Sequence, residues 1–174
     1  DLGAPWSTRV VCTDACLTGH GIAYTRVPTE DVQRWTRWCN FRGAYTPTLE
    51  DAEELAPRDG DPTGNACPMF VADLSLENYA WHEVARPGGS AHITLEEASA
   101  ACWGLETRLL FPSDFGTRSL QGGDNSAVEG AFVKGRSSNS AMNFWCRRSS
   151  AICFAGRLTQ FRFYLPSKKN PADR

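Results

Sequence analysis

An α/β domain, with a mixed sheet flanked by helices, is the fold class this 174-residue sequence predicts. Two short β-rich runs stand close together at the start, at 9–13 and 21–26, with glycines at 19 and 21 that suit a hairpin turn. Leu95, Ala98, Cys102, Leu105 and Leu109 then recur at helical spacing. Beyond them, strand-like and helix-like segments alternate, which is the pattern of strands joined through helices.

The remaining elements follow in order. Residues 78–85 carry a third strand, broken by Pro87-Gly88-Gly89. Residues 28–77 contain Pro28, Pro47, Pro57, Pro62 and Pro68 and read as an irregular insertion between strands two and three. Within it, 50–55 suits a short helix and 58–62 is a turn cluster. Thr94 opens the first long helix and Pro112 ends it. Residues 117–122 read as a fourth strand leading to Asp124. A helix at 126–133 ends at Gly135. A second helix at 140–155 has Met142, Trp145, Cys146, Ser149 and Cys153 on one face. Residues 158–164 form a fifth strand, after which a terminal helix begins. The first three strands are expected to be antiparallel.

The chain is long enough for one domain with a buried core, and residues 1–174 are read as one. Hydrophobic content of 41% and six tryptophans argue against disorder. No apolar run approaches the roughly 20 residues of a membrane helix, and no signal peptide opens the chain. Residues 1–8 read as a linker from an upstream region. The seven cysteines form no CxxC pair, which argues against zinc. They are expected to be reduced core thiols of an intracellular protein, cytoplasmic or nuclear, with disulfides the alternative. Residues 126–174 hold nine Lys/Arg against two Asp/Glu, whereas 28–77 hold four against ten. A basic C-terminal third suits a polyanionic ligand, although ordinary solvated charge would look the same.

Four carboxylates stand at element ends, and each has a local explanation beside a chemical one. Asp14 follows a β-run, as a turn residue or as a metal ligand. Glu97 completes Thr94-Leu95-Glu96-Glu97, which fits a capping box. Asp124, or Asn125 beside it, suits a helix N-cap. An acid at a strand's C-terminal end is also where α/β folds place chemistry. Asp173 follows Pro171 and suits the first turn of a helix. The loop Lys134-Gly135-Arg136-Ser137-Ser138-Asn139 offers amides, two cations and hydroxyls. It reads as a phosphate clamp or as a plain polar loop.

Several motifs stand in one order: Val10-Val11-Cys12-Thr13-Asp14-Ala15, then Glu96-Glu97-Ala98, Gly123-Asp124-Asn125, the basic loop, and Pro166-Ser167-Lys168-Lys169-Asn170-Pro171-Ala172-Asp173. Together they resemble the ribonuclease H domain of retroelement reverse transcriptases, of the tyrosine-recombinase (DIRS-type) or pararetroviral kind. The resemblance covers 10–23 and about 81–173, and it omits most of 28–77. It implies a ribonuclease H-like fold, an α/β fold with a mixed five-stranded sheet. It also implies hydrolysis of the RNA strand of RNA:DNA hybrids by two Mg²⁺ ions, with Mn²⁺ as the substitute. Asp14 would bridge both ions, with Glu97 and Asp124 on one and Asp173 on the other. Glu96 is the fallback for Glu97. Products would carry 5′-phosphate and 3′-hydroxyl ends. The implied partners are the hybrid and an upstream reverse transcriptase domain of the same polyprotein, with no membrane.

Substrate contacts are expected from the backbone near Ala15 and Cys16, from Asn125, and from Lys134, Arg136, Ser137, Ser138 and Asn139. Arg147 and Arg148 are candidates for the DNA strand. Trp35, Trp38 and Phe41 suit base stacking or, more simply, packing. The loop before the last acid lacks the histidine of many relatives, which leaves Lys168 or Lys169 to assist turnover. Two competing readings are a DDE-type integrase or transposase core, which would cut DNA, and a non-catalytic domain that only holds nucleic acid or a polymerase.

Overall fold

Strand β1 (Trp6–Ala15) is the spine of the molecule, because it pairs on both sides. The computed structural model describes residues 3–16, 19–37, 39, 80–84 and 92–173. On one side β1 runs antiparallel to β2 (His20–Arg26), and β2 runs antiparallel to β3 (Ala80–Val84). On the other side it runs parallel to β4 (Arg118–Gly123), which runs parallel to β5 (Thr159–Tyr164). The order is β3-β2-β1-β4-β5. The side chains of four strands are described, and β3 is described by backbone pairing alone.

Alternation along the strands sends successive side chains to opposite faces, and both faces are covered. Val10 and Cys12 of β1, Leu120 of β4 and Phe163 of β5 share one apolar cluster with Val32 and Trp35 of α1 (Thr29–Thr36). The other face carries α2 (Ile93–Arg108), which packs against α3 (Ser126–Lys134) and α4 (Ser140–Gly156). Ala98, Ala101, Val128, Ala131, Met142 and Cys146 form the interhelix core there. The result is a three-layer α/β/α arrangement around a mixed sheet.

Helix α2 sits close to the sheet because its facing residues are small. A Cβ added at Gly104 would lie 2.6 Å from Thr13 Cγ2 and 2.7 Å from Gln121 Nε2. One turn earlier, the Ala101 carbonyl accepts a hydrogen bond from Gln121 Nε2. One turn later, the fully buried Arg108 donates to the Arg9 and Leu120 carbonyls. Arg9 and Arg108 share the buried carboxylate of Asp114, which offsets the cost of burying the two cations. Burial still lowers Arg108 to about 10. Glu97, Ala101, Gly104 and Arg108 lie on one helical stripe, so this anchoring also aims Glu97 at the sheet.

Several expectations change. Strand β1 begins at Trp6, so 6–8 belong to the sheet rather than to a linker. Helix α1 occupies 29–36, inside the stretch expected to be irregular; Val32 and Trp35 give it one apolar face that the sheet buries. Helix α2 is capped by His92, whose Nδ1 accepts from the Thr94 N–H, so no Thr94–Glu97 capping box forms. Residues 171–173 form a turn rather than a helix start, and a short 3₁₀ turn precedes them at Ser167–Lys169. The helix at 50–55, the turn cluster at 58–62, Cys67, Trp38, Phe41 and the break at 87–89 lie outside the described residues. No disulfide joins any two of the six described cysteines. Among the described residues no helix is long and apolar enough to cross a membrane.

Candidate active site

Three elements end at one place. Asp14 is the penultimate residue of β1, Asp124 follows the last residue of β4, and Glu97 is in the second turn of α2. Parallel pairing of β1 and β4 brings the first two together, since Thr13 is level with Gly123. The stripe of small residues on α2 delivers the third. Each offers a carboxylate oxygen, and these oxygens lie within 4.8 Å of one another.

Such a cluster is electrostatically unfavourable by itself. Burial, then the charges of Asp124 and Asp173, push the Asp14 carboxyl up to about 7. Burial, then Asp14 and Asp124, push Glu97 up to about 9. The Ala15 backbone amide favours the ionised form of both carboxyls and pulls the other way, but it does not prevail. Among the described residues no Lys or Arg pairs with any of the three acids. Three clustered hard oxygen donors fit a divalent cation such as Mg²⁺ or Mn²⁺, which would offset their repulsion.

Asp173 lies outside this trio and is exposed, but its charge reaches Asp14. Glu96, the fallback for Glu97, points elsewhere: its Oε2 lies 3.1 Å from Nε2 of the buried His20.

The expected substrate contacts divide into two groups. Lys134, Arg136, Ser137 and Ser138 line an open polar pocket of about 420 Å³ with Ser126, Ala127, Gly130 and Ala131. It runs along α3, whose N-terminus adjoins Asp124. Gly135 ends α3 in a left-handed conformation (φ 66°), which turns the chain so that Lys134 and Arg136 both face the pocket. Asn143 fixes the loop by accepting from the Ser137 N–H at 2.7 Å and donating to its carbonyl at 2.6 Å. Sequence reasoning missed Asn143, which stands unremarkably in a helix.

The other group is engaged within the protein. Asn125 caps α3 by accepting from the Ala127 and Val128 N–H groups. Asn139 caps α4 by accepting from the Met142 N–H, and it is not among the pocket's lining residues. The Cys16 N–H donates to the Gly19 carbonyl at 2.9 Å. Of the two backbone positions expected to meet substrate, Cys16 therefore already has its amide donating within the protein. Lys168 is exposed on the 3₁₀ turn before the tail. Arg147 is exposed, whereas Arg148 pairs with Glu106. Trp35 is buried in the core, as the packing reading had it.

A buried pair behind the acids was also missed. Arg162 of β5 donates through Nε and Nη2 to the two oxygens of Glu129 on α3. The Glu129 carboxylate lies against Gly123, where an added Cβ would meet it at 2.9 Å. The alternation of β5 was the available signal, since it sends Arg162 to the face opposite Phe163.

No protein-family model matches the chain, and no curated protein matches it in sequence. Among solved structures, the chain is similar to RNase H1 from the halophilic archaeon Halobacterium salinarum NRC-1, with 13% identity and a TM-score of 0.48, over 94% of this chain and 89% of that one. A likeness that distant carries neither fold family nor function to this chain.

Proposed function

We propose that this chain is a metal-dependent endonuclease that hydrolyses the RNA strand of RNA:DNA hybrids, as the ribonuclease H domain of a retroelement reverse transcriptase. The observation that carries the reading is the convergence of Asp14, Glu97 and Asp124 from three separate elements, where among the described residues no Lys or Arg forms an ion pair with them. The topology supports it: three antiparallel strands, then a helix, then parallel strands on the far side of β1, as the sequence motifs imply.

Asp14, Glu97 and Asp124 would hold divalent metal, with Asp173 completing the site from the tail. Bound there, two Mg²⁺ or Mn²⁺ ions supply an activated water and stabilise the departing 3′-oxygen. The chain's own groups do the rest. The Ala15 backbone amide favours the ionised form of two of the carboxylates. Lys134 and Arg136 offer positive charge to a nucleic-acid backbone, and Ser137 and Ser138 offer hydroxyls. The pocket takes in Ser126 and Ala127 at the start of α3, the helix that Asp124 and Asn125 precede. The tail motif and basic loop favour a DIRS-type or pararetroviral element, with the polymerase domain of the same polyprotein as partner.

A second reading has one observation in its favour: Asp173 stands apart from the trio, as it would in a domain that only binds nucleic acid. Cleavage assays on labelled RNA:DNA hybrid, duplex DNA and single-stranded RNA, each with Mg²⁺, separate the readings. Cutting of the hybrid alone is expected. Cutting of duplex DNA would favour an integrase-like core, and retention of the hybrid without cutting would favour the binding module.

A further inference from the structure

The last residues of the chain are fastened beside Asp14 by a device that the four-acid reading does not include. Asn170 is 3% exposed, and both ends of its amide are used. Its Nδ2–H donates to the Thr13 carbonyl at 3.0 Å, and its Oδ1 accepts from the Ala172 N–H at 3.1 Å. The Asn170 carbonyl in turn accepts from the Asp173 N–H at 3.1 Å. Thr13 immediately precedes Asp14 in β1.

The second half of the device is a close approach. Gly21 of β2 is the register partner of Asp14. A Cβ built on Gly21 would lie 2.5 Å from the Ala172 carbonyl oxygen, a backbone atom that cannot rotate away. The tail therefore crosses the β1–β2 ladder at the level of Asp14, and only a residue without a side chain leaves it room. Ala172 itself is buried in the sheet core with Val10, Cys12 and Trp35. Asp173 emerges from this crossing exposed, and its charge is felt at Asp14.

We infer that Asn170 is a positioning residue: with Gly21 it clamps the tail across β1 and so holds the Asp173 carboxylate where it can share a divalent cation with Asp14. The inference rests on the metal-site reading above and deepens it. Aspartate at 170 would lack the donor for Thr13, alanine would lack both groups, and glutamine would set the amide one methylene too far out.

The test is Mn²⁺ binding to the whole chain, followed by electron paramagnetic resonance, for the wild type, Asn170→Ala, Asp173→Asn and the double variant. Asn170→Ala is expected to weaken binding about tenfold, as loss of a group orienting a metal ligand does. The double variant should bind no more weakly than Asp173→Asn alone, because both changes remove one contact. Gly21→Ala should reproduce the loss with Asn170 intact, and it replaces Asn170→Ala in the cycle if that variant does not fold. In cleavage assays kcat should fall while KM for the hybrid holds.

Unchanged Mn²⁺ binding in Asn170→Ala and Gly21→Ala would overturn the inference, as would losses that add in the double variant. A wild type that shows the expected Mn²⁺ pattern but cuts no hybrid would sink the nuclease reading and leave the clamp standing. A wild type that binds no Mn²⁺ would overturn both.

Discussion

Replacing Asp14 by Asn should make the metal-free protein more stable at pH 8 while abolishing its response to metal. The oxygens of Asp14, Glu97 and Asp124 lie within 4.8 Å of one another. At that separation, two unit charges repel by about 3 kcal/mol at an effective dielectric near 20. Asp14 is only partly buried, so solvent screening reduces this to about 1–2 kcal/mol. The sign follows from proton linkage. The Asp14 carboxyl titrates at about 7 in the fold, against roughly 3.9 in an unfolded chain. Between those values the folded state keeps a proton that the unfolded state has released, so stability falls as pH rises through this window and then levels off. Glu97, raised to about 9, extends the fall to higher pH.

Asparagine cannot ionise, so the Asp14 share of that fall disappears. In a chain of this length about 1–2 kcal/mol corresponds to a rise in melting temperature of roughly 2–8 °C. At pH 5 most of the gain should be gone, because the folded wild type is still protonated there. The assay is thermal melting by circular dichroism with a chelator, at pH 5 and pH 8, repeated with Mg²⁺. The wild type should be stabilised by metal at pH 8, and the variant should not. A variant less stable than wild type at pH 8 without metal would refute the reasoning, because Asp14 would then be holding the fold as a turn residue.

Glu129→Gln leaves Arg162 buried without its counter-charge and should cost about 3–5 kcal/mol in urea denaturation; a change near zero would show that the pair is not desolvated. Gly104→Ala forces α2 off Thr13 and Gln121. It should cost about 1–3 kcal/mol by the same measurement, and it should weaken Mn²⁺ binding, because Glu97 shares that helical stripe. Lys134→Ala and Arg136→Ala should each weaken binding of the hybrid. Each should also lower the slope of log affinity against log salt by about 1 in fluorescence anisotropy. Unaltered slopes would remove the pocket from the substrate path.

Local patterns made most elements legible. Gly19 stands between β1 and β2, and the 95–105 periodicity marked α2, because each is dictated by neighbours in sequence; Gly21, expected in the turn, lies inside β2, where the Ala172 carbonyl leaves no room for a side chain. Helix α1 was not legible. Its Pro28 start and acidic composition looked like insertion, and only the sheet face beneath Val32 and Trp35 makes it a packed helix. The Thr94–Glu97 capping box was a fair local reading that tertiary structure overrode, since His92 caps α2 and Glu97 faces β1. Asn125 caps α3, as its N-cap reading had it, and Asn139, nominated for substrate alone, caps α4. The Glu129–Arg162 pair joins residues 33 positions apart, so the alternation of β5 could give the face of Arg162 but not its partner. The Asn170–Thr13 bond spans 157 positions, and only the folded chain reveals it.

The most direct test of the central claim is the fate of a 5′-labelled RNA strand annealed to DNA, incubated with wild type, Asp14→Asn or Asp124→Asn in Mg²⁺. The account predicts cutting by the wild type alone, ending in chelator, with a 3′-hydroxyl on the labelled fragment and a 5′-phosphate on the downstream RNA fragment. An intact RNA strand with the wild type, or cutting that persists in both variants, would contradict it.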